Sequence, residues 1–162
     1  MFRTQYTDDL MRRRVITPDE FYKACYDGNF ALVQQYIEDH LDTPEAVNIV
    51  RARHETPLMM AIIRGQQAIA LALLAVDGID INARSDEGRT ALMFAFGCRY
   101  RDIIDVLKAL LAFPQLDVNA RDNEGRTALM YAVSMSKITS VSLASRSAHG
   151  SIYSRYKWKN RS

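Results

Sequence analysis

A stretch of twelve residues occurs twice in this sequence, at 82–93 and at 119–130. The first copy reads Asn-Ala-Arg-Ser-Asp-Glu-Gly-Arg-Thr-Ala-Leu-Met, and the second reads Asn-Ala-Arg-Asp-Asn-Glu-Gly-Arg-Thr-Ala-Leu-Met. Two stretches this similar are hard to obtain by chance, and self-similarity at a fixed spacing is characteristic of chains built from one repeated unit. The sequence therefore predicts a repeat protein, with further copies at the same spacing.

Two weaker copies lie upstream in the same frame. Residues 56–61 read Thr-Pro-Leu-Met-Met-Ala, and Asn48 precedes Thr56 by eight residues, the spacing found in the two longer copies. Residues 19–24 read Asp-Glu-Phe-Tyr-Lys-Ala. The four copies start at 19, 56, 90 and 127, at spacings of 37, 34 and 37 residues. A period of this length predicts stacked units that bury their apolar faces against one another.

This pattern resembles the ankyrin repeat, in which Thr-Pro-Leu-His-x-Ala opens the first of two antiparallel helices. The resemblance covers residues 17–135, and the fourth copy is incomplete. It implies an all-α solenoid of helix-turn-helix units with β-hairpin or turn fingers, and a non-enzymatic scaffold, adaptor or regulator that binds a partner protein. We expect an N-terminal extension at 1–16, the repeat domain at 17–145 and a tail at 146–162.

Local signals place the helices. Thr17 and Glu20 form a capping box with Pro18 at the first helical position, and Thr56 precedes Pro57 in the same way. Apolar residues then recur at helical spacing, which predicts the buried faces. Those of the first helices are Phe21, Ala24, Cys25, Leu58, Ala61, Ile62, Leu92, Ala95, Phe96, Leu129, Ala132 and Val133. Those of the second helices are Leu32, Val33, Tyr36, Ile37, Ile69, Leu73, Leu74, Val106, Leu107, Leu110 and Leu111.

Two departures from the family pattern bear on the core and the fingers. Tyr22, Met59, Met93 and Met130 occupy the place of the family's histidine, and we interpret them as core fillers. Gly88 and Gly125 end finger turns that require a positive φ, whereas His54 takes this place in the second copy. In the family, the asparagine at Asn82 and Asn119 joins neighbouring fingers through side-chain to backbone hydrogen bonds.

The resemblance also predicts where a partner would bind, on the finger tips and on the inner face of the first helices. Carried over position by position, the predicted contact residues are Tyr26, Asp27, Arg53, Glu55, Ile63, Arg64, Asp86, Glu87, Arg89, Cys98, Asn123, Glu124, Arg126 and Met135. The finger charges alternate in sign, which suits a polar partner. Three extra residues within 97–101 are either a local contact feature or a tolerated insertion.

The last thirty residues suggest a rival function. No Asp or Glu follows Ala132, whereas Lys137, Arg146, Arg155, Lys157, Lys159 and Arg161 are basic, so residues 1–132 carry a net charge of −4 (15 basic against 19 acidic residues). Basic residues interleaved with Tyr153, Tyr156 and Trp158 are compatible with weak attachment to nucleic acid or to an anionic membrane. The composition predicts a weak helix to 145 and disorder beyond it. The incomplete fourth copy would be exposed, dock another chain, or belong to a truncated or spliced form of a longer array.

Catalysis is not expected. His40, His54 and His149 have no Asp or Cys at the spacing of a metal site or a catalytic triad, and the sequence has no Gly-rich phosphate loop. We therefore expect no cofactor and no small-molecule substrate. Two separated cysteines, Cys25 and Cys98, predict reduced thiols in a cytosolic or nuclear setting, which would be the host cytosol if the protein is a secreted effector.

Overall fold

The computed structural model describes residues 14–98 and 103–134, which are mostly helical. The helices are α1 (Pro18–Asp27), α2 (Phe30–Asp39), α3 (Pro57–Ile63), α4 (Gln67–Leu74), α5 (Ala91–Gly97), α6 (Ile104–Leu111) and α7 (residues 128–134). Short 3-10 turns span Pro44–Asn48 and Ala52–His54. No β-strand occurs within the described ranges, so the fingers are tight turns. The end of the predicted repeat domain and the tail lie outside these ranges.

Threonine side chains fix where the first helices begin. The backbone N–H of Glu20 donates to the hydroxyl of Thr17, and the Glu20 side chain accepts from the backbone of Thr17, so the predicted capping box is present. Thr56 and Thr90 accept in the same way from the third residue of α3 and of α5. Each cap satisfies a backbone donor that the first helical turn leaves unpaired. Gly97 lies in α5 and not in the predicted 97–101 loop.

The helices stack in two parallel rows. The first helices α1, α3 and α5 contact one another in that order, and the second helices α2, α4 and α6 do the same. Within each repeat the two helices also pack together, as α3 does with α4. Among the described helices the main contacts are therefore between neighbouring units, which is the arrangement of a solenoid. The predicted all-α fold class is confirmed.

The core is a continuous strip between the two rows. Leu58, Ile62 and Leu73 are fully buried, and Ile69 and Leu74 close the same interface. Phe21 and Tyr36 stack with their ring centroids 4.0 Å apart at the N-terminal end. Val106 and Leu110 extend the strip into the third repeat, so the predicted buried faces of the first three repeats are largely confirmed.

The prediction of a buried face is wrong at the far end of the described stack. Leu129, Val133 and Leu111 are exposed to 71%, 48% and 53%, although their counterparts Leu58, Ile62 and Leu74 are buried. Those counterparts are covered by the next repeat. Within the described residues no helix pair lies beyond α6 and α7 to cover this end.

Two of the four residues at the family's histidine position are core residues, as predicted. Met59 and Met93 are each 1% exposed. Met130 is 49% exposed for the same reason as its neighbour Leu129, so its interpretation as a core filler is wrong. Tyr22 is half-buried, and burial together with the charge of Glu55 raises its pKa to about 12.

Asparagine side chains join the loops of adjacent repeats. The Asn82 amide donates to the carbonyl of Gln115 at 2.7 Å and accepts from the N–H of Asp117 at 2.9 Å. Asn48 makes the equivalent pair of bonds one repeat earlier, with Gly78 and Asp80. These bonds replace the inter-strand pairing that the turns lack, and they set the loops in register.

Candidate functional site

Three fingers project along one edge of the stack. We name them the second finger (51–55), the third finger (85–89) and the fourth finger (122–126), after their repeats. In each, the N–H of the first residue donates to the carbonyl of the fifth, at 3.3 Å, 3.0 Å and 3.0 Å respectively. The fingers are therefore alike in backbone and differ in their side chains.

The backbone at the finger tips has a left-handed conformation. Gly88 and Gly125 have φ of 73° and 76°, as the sequence predicts. The second finger achieves the same turn with Arg53 at 63° and His54 at 52°. A residue with a Cβ in this region costs about 1–2 kcal/mol, so the second finger holds strain that the other two avoid.

Backbone and side-chain bonds join the fingers into one row. The N–H of Asp86 donates to the carbonyl of Arg53 at 2.8 Å, and the N–H of Asn123 donates to that of Glu87 at 3.0 Å. The Asn123 amide also donates to the carbonyl of Asp86 at 2.7 Å. His54 Nδ1 lies 2.5 Å from the Asp86 carboxylate. This His–Asp pair was not predicted, because the two residues are 32 positions apart in the sequence.

A groove of 520 Å³ lies between the fingers and the first helices. Its lining residues come from the second and third fingers, from α3, α5 and α7, and from the residue after α5. They are Arg53, Glu55, Ile63, Glu87, Arg89, Met93, Phe94, Gly97, Cys98, Tyr131 and Ser134. Arg53, Glu55, Ile63, Glu87, Arg89 and Cys98 are among the predicted contact residues. The structure thus brings residues from three repeats to one concave surface.

The other predicted contact residues lie elsewhere. Arg64 stacks over Tyr26, 4.2 Å from the guanidinium carbon to the ring centroid, and Asp27 pairs with Lys23 at 2.5 Å. Asp86, Asn123, Glu124 and Arg126 belong to the third and fourth fingers but do not line the groove. Met135 lies outside the described residues.

Two aromatic residues of the groove, Phe94 and Tyr131, were not predicted. Both are half-buried, and both lie four residues after the threonine of their repeat, Thr90 or Thr127, on the inner face of the first helix that lines the groove. The repeat frame would have identified them had that inner face been traced beyond the family's contact positions. Together with Ile63 they give the groove an apolar floor beneath a charged rim.

Arg89 holds the third finger against this floor. Its guanidinium carbon lies 5.8 Å from the ring centroids of both Phe94 and Tyr131, and Glu87 pairs with it at 2.8 Å. The Nε of Arg89 is buried and has no hydrogen-bond partner among the described residues. Burying this donor without a partner is unfavourable, and attraction between the guanidinium and the aromatic faces offsets part of that desolvation cost.

Asp122 anchors the fourth finger. Its carboxylate accepts from the Tyr131 hydroxyl at 2.6 Å and from Arg126 Nε at 2.8 Å. The backbone N–H groups of Glu124 and Arg126 donate to it at 3.0 Å and 2.8 Å. Burial alone would raise the pKa of Asp122, but these four hydrogen bonds outweigh it and hold the pKa well below its usual range.

Charge pairing differs between the fingers. Glu87 and Arg89 pair within the third finger at 2.8 Å, and Glu124 and Arg126 pair within the fourth at 2.7 Å. In the second finger the basic residue comes first, since Arg53 precedes Glu55 in the sequence. Arg53 and Glu55 form no ion pair within the described part of the chain, although Glu55 is half-buried in the groove.

Burial makes the carboxylate of Glu55 harder to ionise. Burial is the main cause of its raised pKa; Arg53 and Arg89 oppose the shift, and Glu87 and Asp86 add to it. A carboxylate that is partly desolvated and unpaired is a place where an external cation would be stabilised.

No cluster of His, Cys, Asp or Glu able to hold a metal ion occurs among residues 14–98 and 103–134. None of the helices in the same ranges has the length and apolar character needed to cross a membrane. The basic aromatic tail, and with it the predicted attachment to nucleic acid or anionic lipid, lies outside them.

Comparison with known proteins agrees with this architecture. A family model for ankyrin repeats matches the chain in three copies, over residues 21–109 and 84–150. No curated protein sequence matches the chain significantly.

Proposed function

Because the chain belongs to the ankyrin-repeat family, we propose that it is a scaffold that holds a segment of a partner protein in the groove between its fingers and first helices. Ankyrin repeats generally mediate protein–protein interactions, and they are typically not enzymes. We propose in addition that the partner binds in this groove and that the protein acts as an adaptor or regulator. We further propose that it acts in the cytosol or the nucleus, or in a host cytosol if it is a secreted effector.

The convergence of three repeats on one groove is the observation that supports this proposal most. Ile63, Phe94 and Tyr131 form an apolar floor, and Arg53 and Glu87 lie on the rim. Binding surfaces commonly combine an apolar centre with a polar edge, because the centre supplies the hydrophobic free energy and the edge supplies specificity. A volume of 520 Å³ accommodates a few side chains of an extended or helical segment.

The proposal is tested by changing the floor of the groove. We expect Ile63→Asp to abolish capture of the partner, because it places a charge where an apolar side chain of the partner would be desolvated. Ile63 is half-buried at the last position of α3, so the fold should tolerate the change. The measurement is affinity capture from lysate with the full chain, quantified against wild type, with circular dichroism as a check of folding.

Lys108→Glu is the control variant. Lys108 is 73% exposed on α6 and does not line the groove. Proteins that wild type and Lys108→Glu retain, and that Ile63→Asp loses, would support the groove. Equal capture by all three chains would contradict it.

A further inference from the structure

We propose that the segment held in the groove presents a lysine or arginine side chain to Glu55, beside a large apolar side chain that packs on Ile63 and Phe94. This inference rests on the proposed function and specifies the chemistry of the partner.

Comparison of the fingers singles out the second. The third and fourth fingers place an acidic residue two positions before an arginine, and both pairs close internally, at 2.8 Å for Glu87–Arg89 and 2.7 Å for Glu124–Arg126. These glutamates and arginines are therefore already paired. The second finger carries Arg53 and Glu55 at the same two positions in the opposite order, and neither side chain has an ion-pair partner among the described residues. Among the Glu and Arg residues at these two positions of the three fingers, only those of the second finger are left without an ion pair in the described part of the chain.

The positions of Arg53 and Glu55 indicate which of these two unpaired side chains recognises the partner. Arg53 is exposed at the finger tip, where water solvates it and a new ion pair would contribute little. Glu55 is half-buried and lines the groove, so its carboxylate has lost part of its hydration without gaining a partner. A cation brought into the groove would be stabilised there more strongly than at the open tip.

The remaining groups near Glu55 do not supply that cation. Arg89 is held by Glu87 and by the rings of Phe94 and Tyr131. His54 is held by the Asp86 carboxylate, 2.5 Å from its Nδ1. Tyr22, which also faces Glu55, stays a neutral hydroxyl because its pKa is raised to about 12. With these contacts set aside, Arg53 and Glu55 remain as the charged lining residues without an ion pair among the described residues, and Glu55 is the half-buried one of the two.

In the protein without a bound partner, the ionised carboxylate of Glu55 is destabilised. Burial raises the pKa of Glu55 above its ordinary value, so the ionised form is disfavoured in the folded chain. Glu55→Gln should therefore leave stability at pH 7 unchanged or slightly higher, while it weakens binding. A residue that mainly stabilises the fold would show the opposite combination.

The experiment selects peptides from a random displayed library with the full chain as bait. Wild type is compared with Glu55→Gln, with the charge reversal Glu55→Arg, and with Glu45→Gln, which makes the same chemical change at an exposed carboxylate that does not line the groove. Affinities of the selected peptides are measured by titration, and unfolding temperatures are recorded for every chain.

We expect wild type and Glu45→Gln to select peptides with Lys or Arg at a fixed distance from a large apolar residue. Glu55→Gln should bind them about tenfold or more weakly, as when one member of a partly desolvated charge pair is removed. Glu55→Arg should select peptides with Asp or Glu at that position. Selected peptides without a basic position, or equal affinity for wild type and Glu55→Gln, would overturn the inference.

The variant Ile63→Asp separates this inference from the proposed function. Peptides that lose affinity with Ile63→Asp but not with Glu55→Gln would leave the groove as the binding site and refute the role of Glu55. Peptides that are indifferent to both variants would refute the groove itself. A library that yields no peptide dependent on either residue would refute both.

Discussion

At the scale of single residues, Asp122 shows how a buried carboxylate can stabilise a turn. Its side chain is 1% exposed and accepts hydrogen bonds from Tyr131, from Glu124 and twice from Arg126. We expect Asp122→Asn to lower the free energy of unfolding by about 1–3 kcal/mol at pH 7, the usual effect of weakening charge-assisted bonds at a buried site. Urea unfolding followed by circular dichroism measures the loss.

The same residue predicts a dependence of stability on pH. The pKa of Asp122 is lower in the folded chain than its ordinary value of 3.8, so its contribution is present above that value and declines as the pH falls below it. Wild type should therefore lose its stability advantage over Asp122→Asn on acidification. Glu124→Gln is the control, since Glu124 is 66% exposed and its pair with Arg126 should contribute little. A constant difference between wild type and Asp122→Asn from pH 7 to 3 would contradict the assignment.

Burial predicts a difference in reactivity between the two cysteines. Cys25 is fully buried, and burial raises the pKa of its thiol to about 12, whereas Cys98 is half-buried at the groove. Thiolate is the reactive form, so a soluble thiol reagent at pH 8 should label Cys98 and leave Cys25 unmodified until the chain unfolds. Mass spectrometry of the labelled protein checks this. Labelling of Cys25 at the rate of Cys98 would show that the first repeat opens readily.

At the scale of elements, the third and fourth fingers differ in how closely their tips are packed. Gly88 and Gly125 have nearly the same φ, but a Cβ on Gly88 would lie 2.5 Å from Asn123 Oδ1, whereas one on Gly125 would meet nothing within 4 Å. Gly125→Ala should therefore cost only the conformational strain of about 1–2 kcal/mol. Gly88→Ala should cost more, because it also disturbs the bonds that Asn123 makes to the third finger.

Thermal unfolding of the two glycine variants makes this comparison directly. Amide hydrogen exchange at Asn123 should accelerate in Gly88→Ala, since its N–H donates to the Glu87 carbonyl across the gap between the fingers. Gly125→Ala should leave that exchange rate nearly unchanged. Equal destabilisation by both substitutions would mean that contact between the fingers adds nothing to the strain.

The sequence predicts the elements well wherever the governing interactions are local. The caps at Thr17, Thr56 and Thr90 and the turns at Gly88 and Gly125 depend on residues at most a few positions apart, and all are found in the structure. The bond between His54 and Asp86 could not be predicted in this way, since it depends on the register of two fingers.

The candidate site could be predicted only in part, because a position in a repeat does not determine how its charge is satisfied. Glu55, Glu87 and Glu124 were all predicted as contact residues, yet the structure leaves only Glu55 unpaired among these three. That difference depends on the order of charges along each finger and on side-chain conformation. Phe94 and Tyr131 were missed because the family's contact positions do not include them.

At the scale of the whole molecule, burial in a solenoid depends on the neighbouring repeat and not on the residue itself. Leu58 and Leu129 occupy the same position in their repeats, but Leu58 is fully buried and Leu129 is 71% exposed. A stack of this kind is stabilised by the sum of its repeats and of the interfaces between them. The same leucine position therefore contributes differently to the free energy of unfolding in different repeats.

The difference in burial between Leu58 and Leu129 predicts different effects of their truncation. Leu58→Ala should lower the free energy of unfolding by about 2–5 kcal/mol, because it removes buried apolar atoms and leaves a cavity between α3 and its neighbours. Leu129→Ala should change it by less than about 0.5 kcal/mol, the usual effect of an exposed substitution. Chemical denaturation of both variants measures the two values, and the matched position within the repeat makes each the control of the other. Equal losses would show that Leu129 is packed in solution as closely as Leu58, because an exposed leucine at the end of the described stack has few apolar contacts to lose.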